Sequence, residues 1–226
     1  MIRWSALLLL FICPLEAFAQ PKLEGVWDVD RSLGAQGHEY ADPAFTDEGQ
    51  RRADAYSAFS DDPSVRCIPS GLGRAWDEPD TAFEIRQFDD RVVIRYEMFD
   101  LIRTIALNQR GHPLDPVAST VNIPGVAMPT MGHSIGWYEG DALVVETLNY
   151  APGYITTLVE ISGHLIPQSE ALRTQERIFR DGERMAVEIT YVDPIILAEP
   201  LTVRYKFRKS PFEMTEYGCI AENADR

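Results

Sequence analysis

Little in this sequence points to metals, nucleotides or membranes. Three cysteines stand in 226 residues, and without the N-terminal Cys13 they are too few for a Cys₄ or Cys₃His zinc site within one chain. The four histidines, His38, His112, His133 and His164, show no H-x-H or H-E-x-x-H spacing, so no metal is expected. A G-x-S-x-G elbow, a P-loop and a Rossmann glycine fingerprint are all missing, which removes the sequence signals for a serine triad and for nucleotide cofactors, and no cofactor is expected. Internal repeats, low-complexity tracts and charge blocks are also absent. Positive charge is in the minority: 21 Lys and Arg against 35 Asp and Glu leave a net −14. That balance argues against nucleic acid and anionic membranes as partners.

Long apolar runs are confined to the N-terminus. Arg3 precedes an apolar stretch from Ser5 to Leu15, and Ala17-Phe18-Ala19 matches the A-x-A cleavage pattern. This reads as a secretory signal peptide, residues 1–19, cleaved after Ala19. It is too short to be a spanning helix, which needs ~20 apolar residues. The expected product is a periplasmic or secreted protein of residues 20–226, folded as a single β-barrel domain. Its charge stays at −14 because Arg3 and Glu16 leave together. In an oxidising compartment the two remaining thiols, Cys67 and Cys219, are expected to form a disulfide. Chain entropy alone would make so long a loop worth roughly 5 kcal/mol.

Helical periodicity appears once, near residues 46–59. Thr46 has the chemistry of an N-cap, Asp47 and Glu48 sit in the first turn, and Ala53, Tyr56 and Phe59 recur at helical spacing. Elsewhere the period is two, broken by turns, which is the pattern of an antiparallel meander. A turn at Asp89-Asp90 pairs Ile85 with Ile94 and puts Phe83, Ile85, Val92, Ile94 and Tyr96 on one apolar face. A turn at Asp181-Gly182 pairs Ile178 with Met185, with Thr174, Glu176, Ile178, Met185, Val187, Ile189 and Tyr191 facing in. Leu201, Val203, Tyr205 and Phe207 alternate with Thr202, Arg204, Lys206 and Arg208. Further strands are expected at 25–29, 102–108, 155–162 and 213–219. The fold class is therefore all-β: about eight to ten antiparallel strands closed into a barrel that leaves no open edges, with a β-sandwich as the alternative. Gly25-Val26-Trp27 resembles the Gly-x-Trp start of lipocalin-like barrels, in which the Trp plugs one end.

The richest stretch is MGHSIGWYEGDALVVETLNY, residues 131–150. A Gly140-Asp141 turn sets Trp137 opposite Val144, Ile135 opposite Glu146 and His133 opposite Leu148. Alternation then gathers His133, Ile135, Trp137, Val144, Glu146, Leu148 and Tyr150 on one face. Both faces are too apolar to be simply wet: one is expected to line the barrel interior and the other to lie under the helix or a long loop, and the pocket readings require the His133 face to be the one that lines the cavity. His133 and Glu146 fall on a diagonal roughly 7–8 Å apart, close enough for a carboxylate to orient an imidazole for acid–base work. The plainer alternative is a His133 ring bonded to a carbonyl and a Glu146 paired with an arginine. Glu176 is a lone carboxylate on an apolar face. It must be paired, protonated or facing water, with Arg103 and Arg177 as candidate partners and a structural ion pair as the favoured reading. Ser134 cannot pair directly with His133, because neighbours on a strand point to opposite faces.

These segments resemble those of a large family of exported bacterial proteins. The matching stretches are Arg66-Cys67-Ile68-Pro69-x-Gly71, Asp90 to Glu97, His112-Pro113, Met131 to Gly136, Glu139-Gly140-Asp141-x-Leu143 to Thr147, Glu176-Arg177, Asp193-Pro194 and Tyr217-x-Cys219-x-x-Glu222-Asn223. The resemblance implies export and no particular activity. This chain departs from the pattern at Trp137-Tyr138, where the family carries Arg-Trp, and in the longer link from Leu114 to Pro129. Three function classes remain. The favoured one is a carrier for a small apolar or aromatic molecule in the barrel cavity, walled by Ile135, Trp137, Tyr150, Tyr191, Tyr205 and Phe207, with Arg103 beside them. The second is a cofactor-free isomerase, hydratase or hydrolase using His133 with Glu146 or Glu176. The third is an interaction protein with a filled core.

Overall fold

The structure, a computed structural model, describes residues 20–30, 38–78 and 81–222; the signal peptide expected at 1–19 lies outside them. Among the described residues there are thirteen strands: β1 (Gly25–Val29), β2 (His38–Tyr40), β3 (Ala82–Gln87), β4 (Arg91–Tyr96), β5 (Leu101–Leu107), β6 (Thr120–Asn122), β7 (His133–Glu139), β8 (Ala142–Leu148), β9 (Gly153–Thr156), β10 (Ile166–Gln168), β11 (Arg173–Asp181), β12 (Arg184–Val192) and β13 (Leu201–Lys209). Nine of them close a barrel in the order β1-β3-β4-β5-β7-β8-β11-β12-β13, with β13 returning to β1. The expected all-β barrel is the fold.

The hairpin registers follow the turn chemistry. Ile85 opposes Ile94, and His133, Ile135 and Trp137 oppose Leu148, Glu146 and Val144. The β11–β12 turn differs: Asp181 pairs with Arg184, and Ile178 faces Val187 rather than Met185. Gly182, at φ 65°, takes the first turn position instead of the second. The slip is by two residues on the partner, so every inward side chain stays inward.

One pair breaks the meander. Beyond Leu107 the chain makes a long excursion before β7, which then runs parallel to β5 through Ala106–Ile135 and Leu107–Gly136. A parallel neighbour requires such a crossover. The same edge of β5 is paired over its first half with β6, antiparallel. Residues 108–119 form a strap outside the barrel. Ser119 ties its end down, donating from its amide to Gly132 O (2.9 Å) and accepting from the Ser134 amide (2.7 Å).

Helix α1 (Asp47–Ala55) is capped by Thr46, whose Oγ1 accepts from Gly49 N at 3.0 Å. A second helix, α2 (Leu72–Asp77), is buried along its whole length. Two expected strands are corrected. Residues 155–162 are the end of β9, paired with β10 in a separate ribbon, followed by the short helix α3 (Val159–Ser162), which Gly163 ends in the left-handed region. Residues 213–219 form no ladder, because carboxylates take up their amides: Glu97 accepts from Thr215 N, and Asp100 from Tyr217 N and Gly218 N. The disulfide Cys67–Cys219 ties this run to the barrel, with Cα atoms 5.4 Å apart. Among the described residues no helix is long and apolar enough to cross a membrane.

Candidate functional site

The barrel interior is occupied by side chains. From α2, Trp76 reaches the inner faces of β3, β4 and β13, where its ring meets Phe83, Tyr96 and Phe207 with centroids 5.0 to 5.8 Å away. Its indole N–H donates to Glu176 Oε1 at 2.8 Å. Trp27 fills the end where β1 joins β13, beneath the Lys209 ammonium (4.0 Å) and the Arg180 guanidinium.

Arg103 and Glu176 form a fully buried ion pair at the centre of this interior. Arg103 Nη1 donates to Glu176 Oε1 at 3.0 Å, and Nη2 donates to Glu176 Oε2, to Thr147 Oγ1 and to Ser134 Oγ. Burial opposes the charge on Arg103, but the Glu176 carboxylate more than offsets it and holds the guanidinium firmly protonated. All three guanidinium nitrogens and both Glu176 oxygens are hydrogen-bonded within this network, as a buried pair needs to persist. Removing one partner would leave a bare charge, at about 3–5 kcal/mol. The favoured reading of Glu176, a structural ion pair, is therefore the observed one; of its two candidate partners Arg103 supplies the guanidinium, while Arg177 pairs with Glu139.

The expected ligand wall does not assemble in one place. Tyr191, Tyr205, Phe207 and Arg103 are fully buried and Tyr150 nearly so. Tyr191 and Tyr205 share a hydroxyl contact of 3.2 Å, and Tyr150 meets Thr174 Oγ1 at 2.6 Å. Ile135 and Trp137 lie on the opposite side of the sheet, with Trp137 38 % exposed. The inward face of the β7–β8 hairpin is instead Ser134, Gly136, Tyr138, Leu143, Val145 and Thr147. Two causes decide this. Ser134 and Thr147 are claimed by Arg103, and a side chain at Gly136 would come 2.8 Å from Ile105 Cγ2. The facing expected for His133 and Glu146 is thus corrected: both stand on the outer face, under the strap.

There they meet a residue that the sequence reading left aside. His112, carried by the strap, places its Nδ1 2.7 Å from His133 Nδ1, with the rings edge-to-face at 68°. Its Nε2 lies 3.3 Å from Glu146 Oε1, a close approach without hydrogen-bond alignment. Burial, and then the charge of His112, hold the His133 pKa below its ordinary value. The only sequence signal for His112 was its place in the His-Pro segment; spacing alone could not bring it to His133.

Beside these histidines opens a cleft of about 430 Å³. The strap supplies His112, Pro113 and Pro116, and the end of β8 supplies Leu148 and Asn149. The far wall is residues 170–173 with Val192 and Pro194. Asn149 fixes the strap edge by donating to Pro116 O at 2.7 Å. The walls are mostly Pro, Leu and Val, with Glu170, Arg173 and Asn149 as polar groups. That is the composition of a small-ligand site, and the volume is within its usual range.

Comparison with known proteins fixes no family. Neither a protein-family model nor a curated protein matches the chain. Among solved structures it is similar to the wild-type fluorescent protein UnaG, at 15 % identity over 84 % of this chain and 98 % of that one, with a TM-score of 0.36. A mutant of UnaG follows at 12 % identity, 84 % and 97 % coverage and a TM-score of 0.35. A likeness at that level assigns no ligand.

Proposed function

We propose that this is an exported binding protein for a small apolar or aromatic molecule, and that the ligand sits in the cleft between the strap and the β8–β11–β12 surface. The observation that carries the reading is the cleft itself: mostly apolar walls enclosing a volume of ligand size, with a few polar groups on both sides. The barrel interior is filled by Trp76 and the Arg103–Glu176 network, so it serves here as a rigid support. Export rests on the N-terminal segment and on the Cys67–Cys219 bond, which fits an oxidising compartment. A second reading, a cofactor-free acid–base enzyme, draws support from the His112–His133 contact beside the same cleft.

Native mass spectrometry of protein purified from its own host, at low and high collision energy, tests the binding reading. A retained molecule is expected, and Ala171→Trp, which fills the cleft, should weaken binding of an apolar dye at least about tenfold while leaving the melting temperature in place. A chain that stays empty after exposure to lipid and aromatic extracts, or a dye bound equally by Ala171→Trp, would remove the reading in favour of an interaction protein. Turnover of the retained molecule, abolished in His133→Ala, would convert it to the enzyme.

A further inference from the structure

We propose that the His112–His133 pair is a proton-operated latch that holds the strap closed at neutral pH and releases it on acidification, opening the cleft; this rests on the ligand-binding reading above. Two Nδ1 atoms 2.7 Å apart can hold one proton between them, with one ring donating and the other accepting. The contact survives when both rings are neutral, and it survives when one carries a charge. It fails when both are imidazolium, because each Nδ1 then bears a hydrogen and neither has a lone pair.

The rings belong to different elements, so losing the contact has a mechanical consequence. His133 stands on β7, in the closed sheet, while His112 is on the strap and in the cleft wall. Little else anchors this part of the strap through burial. Leu114 and Val117, its large apolar residues, are exposed at 107 % and 71 %. The remaining ties, Pro116 O to Asn149 and Ser119 to Gly132 and Ser134, lie further along the chain. They form a hinge about which the segment from 109 to 115 can lift.

The charged groups around the pair set the direction. Glu146 on β8 faces His112, with its Oε1 3.3 Å from Nε2. Across the cleft stand Glu170 and Arg173, and the strap itself carries Arg110 and Asp115. Burial of His133 and the neighbouring His112 both oppose charge on His133. His133 therefore takes up a proton less readily in the latched state than in the open one, where a free imidazole titrates at about 6.5. The latch is fully favoured above that pH and is lost as pH falls through it toward the depressed value of His133 in the closed state.

Hydroxyl-radical footprinting of the full mature chain, normalised to a reporter peptide at each pH, reads the latch without any ligand. Between pH 7.5 and 5, labelling of Leu148, half-buried in the cleft wall opposite His133, should rise by about threefold while Ile178 in the barrel interior stays protected. His133→Asn and His112→Asn should abolish the step. Unchanged labelling of Leu148 across this range, or the same acid step in both histidine variants, would overturn the proposal. Because no ligand enters the measurement, an acid step in a chain that binds nothing would leave the latch standing and remove only the carrier reading.

Discussion

At Asp77 the fold holds a carboxylate against its own chemistry. The side chain is buried at the end of α2, accepting from the Tyr40 hydroxyl at 2.5 Å and from Thr156 Oγ1 at 3.3 Å, with Arg74 3.9 Å away. Burial outweighs these partners and pushes its pKa up to about 6. The folded chain therefore keeps a proton that the unfolded chain releases near 3.9. This contribution to stability is present below that value and is lost as pH rises through 6. Asp77→Asn keeps an acceptor for Tyr40 and removes the titration. Its stability relative to wild type should rise by about 2–3 kcal/mol between pH 4 and 7, measured by urea unfolding at both. A difference that stays flat with pH would show that Asp77 is ionised throughout. Glu176 is the contrasting case, a buried carboxylate matched by a full guanidinium. The sequence singled out Glu176 because it interrupts an alternating apolar strand. Asp77 had no such context, and its burial comes entirely from where α2 is placed.

At the scale of elements, hairpins were legible and α2 was not. Asp89-Asp90 and Gly140-Asp141 set registers that the sheet reproduces, because a short turn leaves few ways to align its flanking strands. Helix α2 buries all of its six residues, so it has no polar face and no 3.6-residue stripe to read. It nonetheless decides what the barrel can hold. Gly73 makes its insertion feasible: a Cβ there would come 2.4 Å from Ile155 O and 2.9 Å from the Tyr191 hydroxyl. Backbone cannot yield as a side-chain tip can, so Gly73→Ala should shift α2 and cost about 1–3 kcal/mol. Near-ultraviolet circular dichroism should report the change through Trp76, and an unaltered spectrum with full stability would show that α2 is seated more loosely. The misplaced strand at 213–219 has a related cause. Its amides at Thr215, Tyr217 and Gly218 are satisfied by Glu97 and Asp100, and a sequence cannot show that carboxylates distant in the chain will substitute for a neighbouring strand.

For the molecule as a whole, the β1–β13 pairing closes the barrel, and the Cys67–Cys219 bond ties the loop before α2 to the C-terminal run. Breaking that bond in a Cys67→Ser, Cys219→Ser double variant should cost about 2–5 kcal/mol and raise the urea m-value, since the unlinked unfolded chain exposes more surface. A variant as stable as wild type would mean that the carboxylate anchors alone hold the C-terminal run. The sequence by itself determined the strand periodicity, most of the registers, the disulfide partners and the all-β class, because each follows from local geometry or from simple elimination. Tertiary structure alone decided which side of the β7–β8 hairpin faces inward. Both sides were apolar, and the choice fell to Arg103, which draws Ser134 and Thr147 to itself, and to Ile105, which leaves room only for a glycine at 136. That choice turned His133 and Glu146 outward, beneath a strap that brings His112 to them from another part of the chain.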